Sequence, residues 1–429
     1  MKRILLTNWI LLITISCIAQ SNKSLITFKH IDSLITQKDF FVARNVYHTK
    51  KVILSKEHQL VLEANLDHVF NRLTSSNQKI NQLFQQFSKT LPDSVKCKLL
   101  VIKQNNHGKL FEYKEAFTTL NQVMNQYNRF LSKAEQEDFA NTRLIWKSLS
   151  GQPKQQVHIA TTTTLKIKRD KAGLANIHVS YPGTGTAKKD SVDFVFDTGA
   201  NISTVTESMA KKCGMQFMEG MIDVIAITGK TVKSQIAVCP QLNLGHIQVQ
   251  DAVFLVFPDS ALAVPSIQYQ IQGILGFPVI EALKEIQITR SEELIVPLKP
   301  GHFPNQNMTL DFLTPIIELD GDNYTFDTGA NSTLLYKTYF EKHRNEIEKN
   351  YKEKELQFGG AGGNIRKQGY LINFVPSINN KPVKIENVQV YKEPIRTDEG
   401  HLAGNIGQDL IRKFDKMVIS FASMSVHFE

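Results

Sequence analysis

Leu62, Leu66, Val69, Phe70 and Leu73 recur three and four residues apart, and apolar residues keep that spacing from about Ser24 to Leu149. A stripe with this period is what a helix needs to bury one face. Glycine weakens helices, and in this block it occurs once, at Gly108. A second, longer rhythm lies over the first. The i, i+4 pairs Ala43/Tyr47, Ile80/Phe84 and Ala116/Leu120 follow one another at intervals of 37 and 36 residues. Such a period suits stacked helical hairpins. The pattern predicts an all-α domain over residues 20–150.

At Ser150-Gly151-Gln152-Pro153 the pattern changes. Glycine and proline become frequent, and Thr162, Thr164 and Lys166 alternate with Leu165 and Ile167. Alternation with period two marks half-buried strands. The remainder reads as short strands with tight turns, a few short helices, and a longer charged helix at about Leu334 to Lys354. A second seam falls near Pro300-Gly301-His302-Phe303-Pro304. The predicted organisation is therefore a helical domain followed by two mostly-β segments, 151–299 and 300–429.

Composition changes this picture at few places. The net charge of +9 comes from lysines and arginines scattered along 429 residues. Without a basic run or a recognition signature, this predicts a solvated surface and no nucleic-acid partner. Lys2 and Arg3 precede an apolar run from Ile4 to Ile15, and small residues lead to a cleavage position after Ala19. Residues 1–19 thus read as a signal peptide, and the chain as secreted or periplasmic. Cys17 offers the alternative of a membrane-anchored lipoprotein. The run is short for a membrane span, and no transmembrane helix is predicted. Cys97, Cys213 and Cys239 read as buried free thiols, although Cys213 and Cys239 could pair in an oxidising compartment. The twelve histidines show no metal-site spacing, so no metal or other cofactor is expected. Asp193, Asp311 and His246 read as surface or turn residues.

The chemistry-bearing signal is a repeat. Phe-Asp-Thr-Gly-Ala-Asn occurs at 196–201 and again at 326–331. Gly273-Ile274-Leu275-Gly276 follows the first copy, and Gly404-Asn405-Ile406-Gly407 the second. Between these motifs each half has a glycine-bearing turn, one around Thr228 and Gly229, the other at Gly359-Gly360-Ala361-Gly362. An aspartate ending an apolar strand sits at the rim of a sheet. If the two halves pack with pseudo-twofold symmetry, Asp197 and Asp327 become neighbours. Two carboxylates in contact hold one proton between them. The ionised one can then deprotonate a water while the other donates to a carbonyl oxygen. One aspartate alone would be an ordinary acid, which explains why the hexapeptide occurs twice.

Phe-Asp-Thr-Gly-Ala, followed some eighty residues on by an apolar pair and glycine, resembles the signature of retropepsin-like aspartic proteases. The resemblance covers about Val157 to Glu429. It implies catalytic roles for Asp197 and Asp327. It implies loop-supporting roles for Thr198, Gly199, Ala200, Thr328, Gly329 and Ala330, with Gly276 and Gly407 where a strand threads beneath the loops. Thr228, Gly229, Gly359, Gly360, Ala361 and Gly362 would lie in flaps over a bound peptide. Two copies in one chain resemble the pepsin arrangement, although Ala200 and Ala330 stand where pepsins usually have serine or threonine. Asn405 stands where the family has an apolar residue. Glu112 to Phe117 looks like the start of the second helix of a tetratricopeptide-type unit, so the helical domain resembles that family and is expected to recruit a protein partner. A pro-segment lying over the cleft is the other role open to it. The expected activity is peptide-bond hydrolysis on a peptide or protein substrate. The alternative is a protein that binds peptides through the same fold without cutting them.

Overall fold

The computed structural model describes residues 22–182, 189–225, 231–360, 363–395 and 399–429. The leader at 1–19, with Cys17, lies outside the described residues, as do Thr228, Gly229, Ala361 and Gly362.

The helical pattern folds as antiparallel neighbours. They are α1 (22–36), α2 (Phe40–Lys50), α3 (Lys56–Val69), α4 (Leu73–Gln86), α5 (Asp93–Lys109), α6 (Tyr113–Gln126) and α7 (Lys133–Leu149). Serines start two of them. The Ser55 hydroxyl accepts from the His58 N–H, and Ser132 and Glu135 form a reciprocal capping box. Each bond satisfies an N–H that the helix itself leaves without a partner. Ala43 and Tyr47, Ile80, and Ala116 and Leu120 are buried on α2, α4 and α6, so the long rhythm marks the second helix of successive hairpins. Lys38, Asn71 and Phe111 follow α1, α3 and α5 with φ of 66°, 60° and 56°, and there the chain reverses. Gly108 breaks nothing. A Cβ there would lie 2.7 Å from the Trp146 ring, so its role is to let α7 approach α5.

The second region is mostly β, with mixed sheets. In its first half the strands lie in the order Thr163–Arg169, Ala175–Pro182, Lys189–Phe196, Gly273–Leu275, Ser203–Thr206, Ile247–Phe257, Thr231–Leu244, Gln216–Ile225. In the second half the order is Met308–Asp311, Thr314–Leu319, Asp322–Phe326, Gly404–Ile406, Leu334–Leu335, Ile385–Tyr391, Gly363–Phe374, Lys354–Gly360. The order of connection is the same in both. Each half closes with a hairpin, Glu285–Thr289 with Glu293–Val296 and Lys416–Ser420 with Ser425–Phe428. The hairpins join where Glu285–Thr289 pairs antiparallel with Lys416–Ser420. Thr163–Arg169 alternates buried and exposed, as its sequence predicts. The charged helix is shorter than predicted, Lys337–Asn350. Leu334 and Leu335 are drawn into the sheet beside Asn405 and Gly404, and Lys354 begins a hairpin.

The helical block packs against both halves. Cys97, Leu100, Tyr113, Trp146 and Leu149 share a core with Met218, Ile222, Ile236, Val238 and Leu255. Phe40, Phe41, Leu62 and Phe70 share another with Ile316, Tyr336 and Leu402. Polar links border these cores: Lys38 to Asp311 at 2.7 Å, the Asn71 amide to Glu281 at 2.6 Å, and His401 to Asp39 at 2.6 Å. No helix among the described residues is long and apolar enough to cross a membrane.

Candidate active site

The site is built from two strand ends. Lys189–Phe196 and Asp322–Phe326 carry apolar side chains into the core and end one residue before Asp197 and Asp327. Each is flanked by a parallel partner. Val195 and Phe196 lie beside Ile274 and Leu275, and Thr325 and Phe326 beside Asn405 and Ile406. The partner strand then holds the loop. Asp197 N–H donates to the Leu275 carbonyl at 3.1 Å, and Asp327 N–H to Ile406 at 3.0 Å. The Phe277 and Gln408 amides donate to the carbonyls of Ala200 and Ala330 at 2.8 and 2.9 Å. Gly276 N–H donates to the Ser203 hydroxyl, and Gly407 N–H to that of Thr333. A Cβ at Gly276 or Gly407 would lie within 2.8 Å of the Ala200 or Ala330 carbonyl oxygen, so these crossings require glycine.

The two loops meet through their threonines. Thr198 N–H donates to the Thr328 hydroxyl at 3.0 Å, and Thr328 N–H to the Thr198 hydroxyl at 2.9 Å. Each hydroxyl then donates onward across the interface, Thr198 to the Phe326 carbonyl and Thr328 to the Phe196 carbonyl. Both side chains are buried. A buried N–H that lost such an acceptor would cost about 1–3 kcal/mol.

This brings the aspartates together. A Cβ on Gly199 would lie 2.7 Å from the Asp327 carboxyl carbon, and one on Gly329 would overlap the carboxyl of Asp197. Within its own loop each carboxylate accepts from an amide: Asp197 from Gly199 at 2.7 Å, Asp327 from Gly329 at 2.7 Å and from Ala330 at 3.1 Å. The Asp197 carboxyl is held well above the usual carboxylate range. Burial is the first cause, followed by the charge of Asp327 and the hydrogen bond between the two acids, against the pull of the Gly199 and Ala200 amides. The arrangement can keep one proton on the pair while leaving the other acid ionised.

Residues 184–279 match a family model, Aspartyl protease. The aspartyl protease match contains Asp197, its loop and Gly276, and ends before the second hexapeptide. Asp327 is related to it by the repeated strand order and the mirrored hydrogen bonds described above. No curated protein matches the chain.

Both acids open into a cleft of about 2450 Å³. Thr231 and Val232 of one hairpin border it, as do Gln357 and Gly359 of the other. Gly359 and Gly360 pair with Asn364 and Gly363 near the tip of the second hairpin. Asn405 also lines the cleft, and its side chain accepts from the Thr325 hydroxyl at 2.6 Å, so its polarity is satisfied at the sheet edge. Asp193 and Asp311 stand apart, ion-paired with Lys168 and Lys38, and His246 occupies a turn. The three described cysteines are free and buried.

Two supports escaped the sequence reading. Buried Gln408 donates its side-chain amide to the Thr328 carbonyl at 2.7 Å and accepts from Arg169 at 3.1 Å. Arg169 is itself held by Glu292. Asp409 accepts from the Thr333 N–H at 2.8 Å and from its hydroxyl at 2.6 Å. Phe277 and Pro278 follow the threading glycine of the first half, so comparing the halves gives no hint of either role.

Proposed function

We propose that the chain is an aspartic endopeptidase that hydrolyses peptide bonds with water activated between Asp197 and Asp327. The observation that carries this reading is the mutual contact of two carboxyls at the ends of matched strands, facing a cleft. In the mechanism, the ionised acid takes a proton from a water lying on the pair. The water oxygen bonds to the peptide carbonyl carbon as the protonated acid gives its proton to the carbonyl oxygen. The resulting gem-diol is tetrahedral. Its collapse breaks the C–N bond, with one proton delivered to the departing nitrogen and one acid left protonated. The balance needs no other reactant than water. Which acid carries the proton is a property of the pair.

The substrate in this reading is an extended peptide, held by main-chain hydrogen bonds under the two hairpins. Export belongs to the same proposal and rests on residues 1–19. The intact mass of the mature protein distinguishes cleavage after Ala19 from a lipid on Cys17. We also infer that the helical block is built of tetratricopeptide-type hairpins, a reading supported by its succession of paired helices.

The activity test is cleavage of denatured casein from acid to neutral pH, with and without pepstatin. Asp197→Asn and Asp327→Asn are each expected to lower kcat by about a thousandfold, within the range lost when a positioned acid or base is removed. Circular dichroism should show the fold retained. Full activity in either single variant, or no cleavage by the parent on any of a broad set of peptides, overturns the proposal.

A further inference from the structure

The first helix turns one stripe inward. Ser24 and Ile31 of α1 are buried, and the Phe28 ring stacks on His58 of α3 with centroids 4.4 Å apart. Leu25 and Ile26 lie off that stripe, 41% and 69% exposed. Val52, in the single turn Lys51–Ile53 between α2 and α3, is 87% exposed. Exposed apolar residues scattered singly are ordinary. These three are gathered at one end of the helical block. The Ser24 hydroxyl accepts from the Ser55 N–H at 2.8 Å and lies 2.7 Å from His58 Nδ1. The Gln59 side-chain amide donates to the carbonyls of Lys51 at 3.1 Å and Leu54 at 3.0 Å. These bonds hold the turn that carries Val52 against the first turn of α1, beside Leu25 and Ile26.

The charge around them has one sign. Residues 22–30 and 48–56 contain Lys23, Lys29, Lys50, Lys51 and Lys56, and no aspartate or glutamate. All five lysines are exposed. The carboxylates just beyond these stretches have partners of their own. Glu57 accepts from the Thr90 hydroxyl at 2.8 Å, and Glu63 offsets Lys51 alone, at 2.6 Å. A basic rim thus surrounds a small apolar tip.

We propose that this end of the helical block docks on an anionic phospholipid bilayer. Leu25, Ile26 and Val52 dip into the headgroup boundary, and the lysines meet lipid phosphates. Size and charge select the occupant. A stable protein interface uses roughly twenty residues a side, far more than this tip offers. A shallow apolar insertion together with several lysines suffices for reversible binding to anionic lipid. Position agrees with charge. Five residues reach at most about 18 Å, so a lipid carried by Cys17 would keep Asn22, at the start of α1, within that distance of the bilayer. The surface stands apart from the acid pair and does not rest on the peptidase reading.

The test is flotation of the mature Cys17→Ser chain, which carries no acyl group, with two kinds of vesicle. One is phosphatidylcholine alone, the other an equal mixture with phosphatidylglycerol. Binding to the mixed vesicles is expected to be about tenfold tighter than to the neutral ones, and to weaken as salt is added. Ile26→Asp combined with Val52→Asp should lower it about tenfold, since the insertion is lost and two like charges face the lipid. Val375→Asp alters an apolar residue that is 50% exposed in the second β half, and should leave binding unchanged. Equal binding to the two kinds of vesicle overturns the proposal, as does binding that a folded Ile26→Asp, Val52→Asp protein retains in full. If sedimentation shows a dimer that this double variant dissociates, the tip is a self-interface and the proposal is overturned. If circular dichroism shows the double variant unfolded, Lys50→Gln with Lys56→Gln takes its place. Loss of the preference for mixed vesicles then upholds the docking surface, and an unchanged preference overturns it. The assay reads no cleavage, so it decides the matter whichever way the casein test falls.

Discussion

At the scale of single residues, Asp197 combines two opposed demands. Its carboxyl is held up in pH by burial and by the neighbouring acid, so the folded state keeps a proton that the unfolded chain has already released. From the unfolded carboxylate range near pH ~3.9 upward, the unfolded state gains by ionising while the folded state does not, until the raised pKa is passed. The wild type is accordingly most favoured below that range and loses stability across this window as pH rises. Asp197→Asn has no such loss. Its Tm relative to wild type should be unchanged near pH 3 and should climb as pH increases, measured by scanning calorimetry in a series of buffers. A constant difference at all pH values would show that the raised pKa is not felt by folding. Sequence made this pair legible because the hexapeptide occurs twice, and Thr198 and Thr328 came with it. Gln408 and Arg169 were not legible, since a bond between residues 239 positions apart leaves no local trace.

Among elements, helices and strands followed their periods closely, and the exceptions have physical causes. Leu334 and Leu335 carry good helix formers, yet the sheet offers them partners at Asn405 and Gly404. Gly108 is the converse case, a poor helix former inside α5. Its reason lies on α7, where Trp146 fills the Cβ position and donates its indole N–H to Gln104 at 3.0 Å. Two effects compete in Gly108→Ala. Helix propensity favours alanine by about 1 kcal/mol. Overpacking against a buried ring costs about 1–3 kcal/mol. The clash should win, so the variant is expected to be less stable by about 1 kcal/mol in urea unfolding. A more stable variant would mean that α7 yields easily.

For the whole molecule, the helical block's position could not be read from the chain. Met218, Ile222 and Val238 sit in ordinary strand text, and nothing near them says that helices cover them. Together with Ile236, Leu255, Ile316, Tyr336 and Leu402 they form apolar faces that the block buries. Each large side chain so covered contributes about 1.5–3 kcal/mol. A chain beginning at residue 151 should therefore be insoluble or bind anilinonaphthalene sulfonate strongly, whereas a pendant recruitment module could be removed without effect. A soluble, cooperatively folding fragment would mean that the packing is dispensable.

The pairing of Glu285–Thr289 with Lys416–Ser420 also orders events in time. Both acids have been synthesised by residue 327, but the strand that ties the halves together is made some ninety residues later. A nascent chain halted in that interval holds both acids and lacks the strand seam that joins the two halves. On the peptidase reading, cleavage would therefore wait until the 416–428 hairpin has been made and paired.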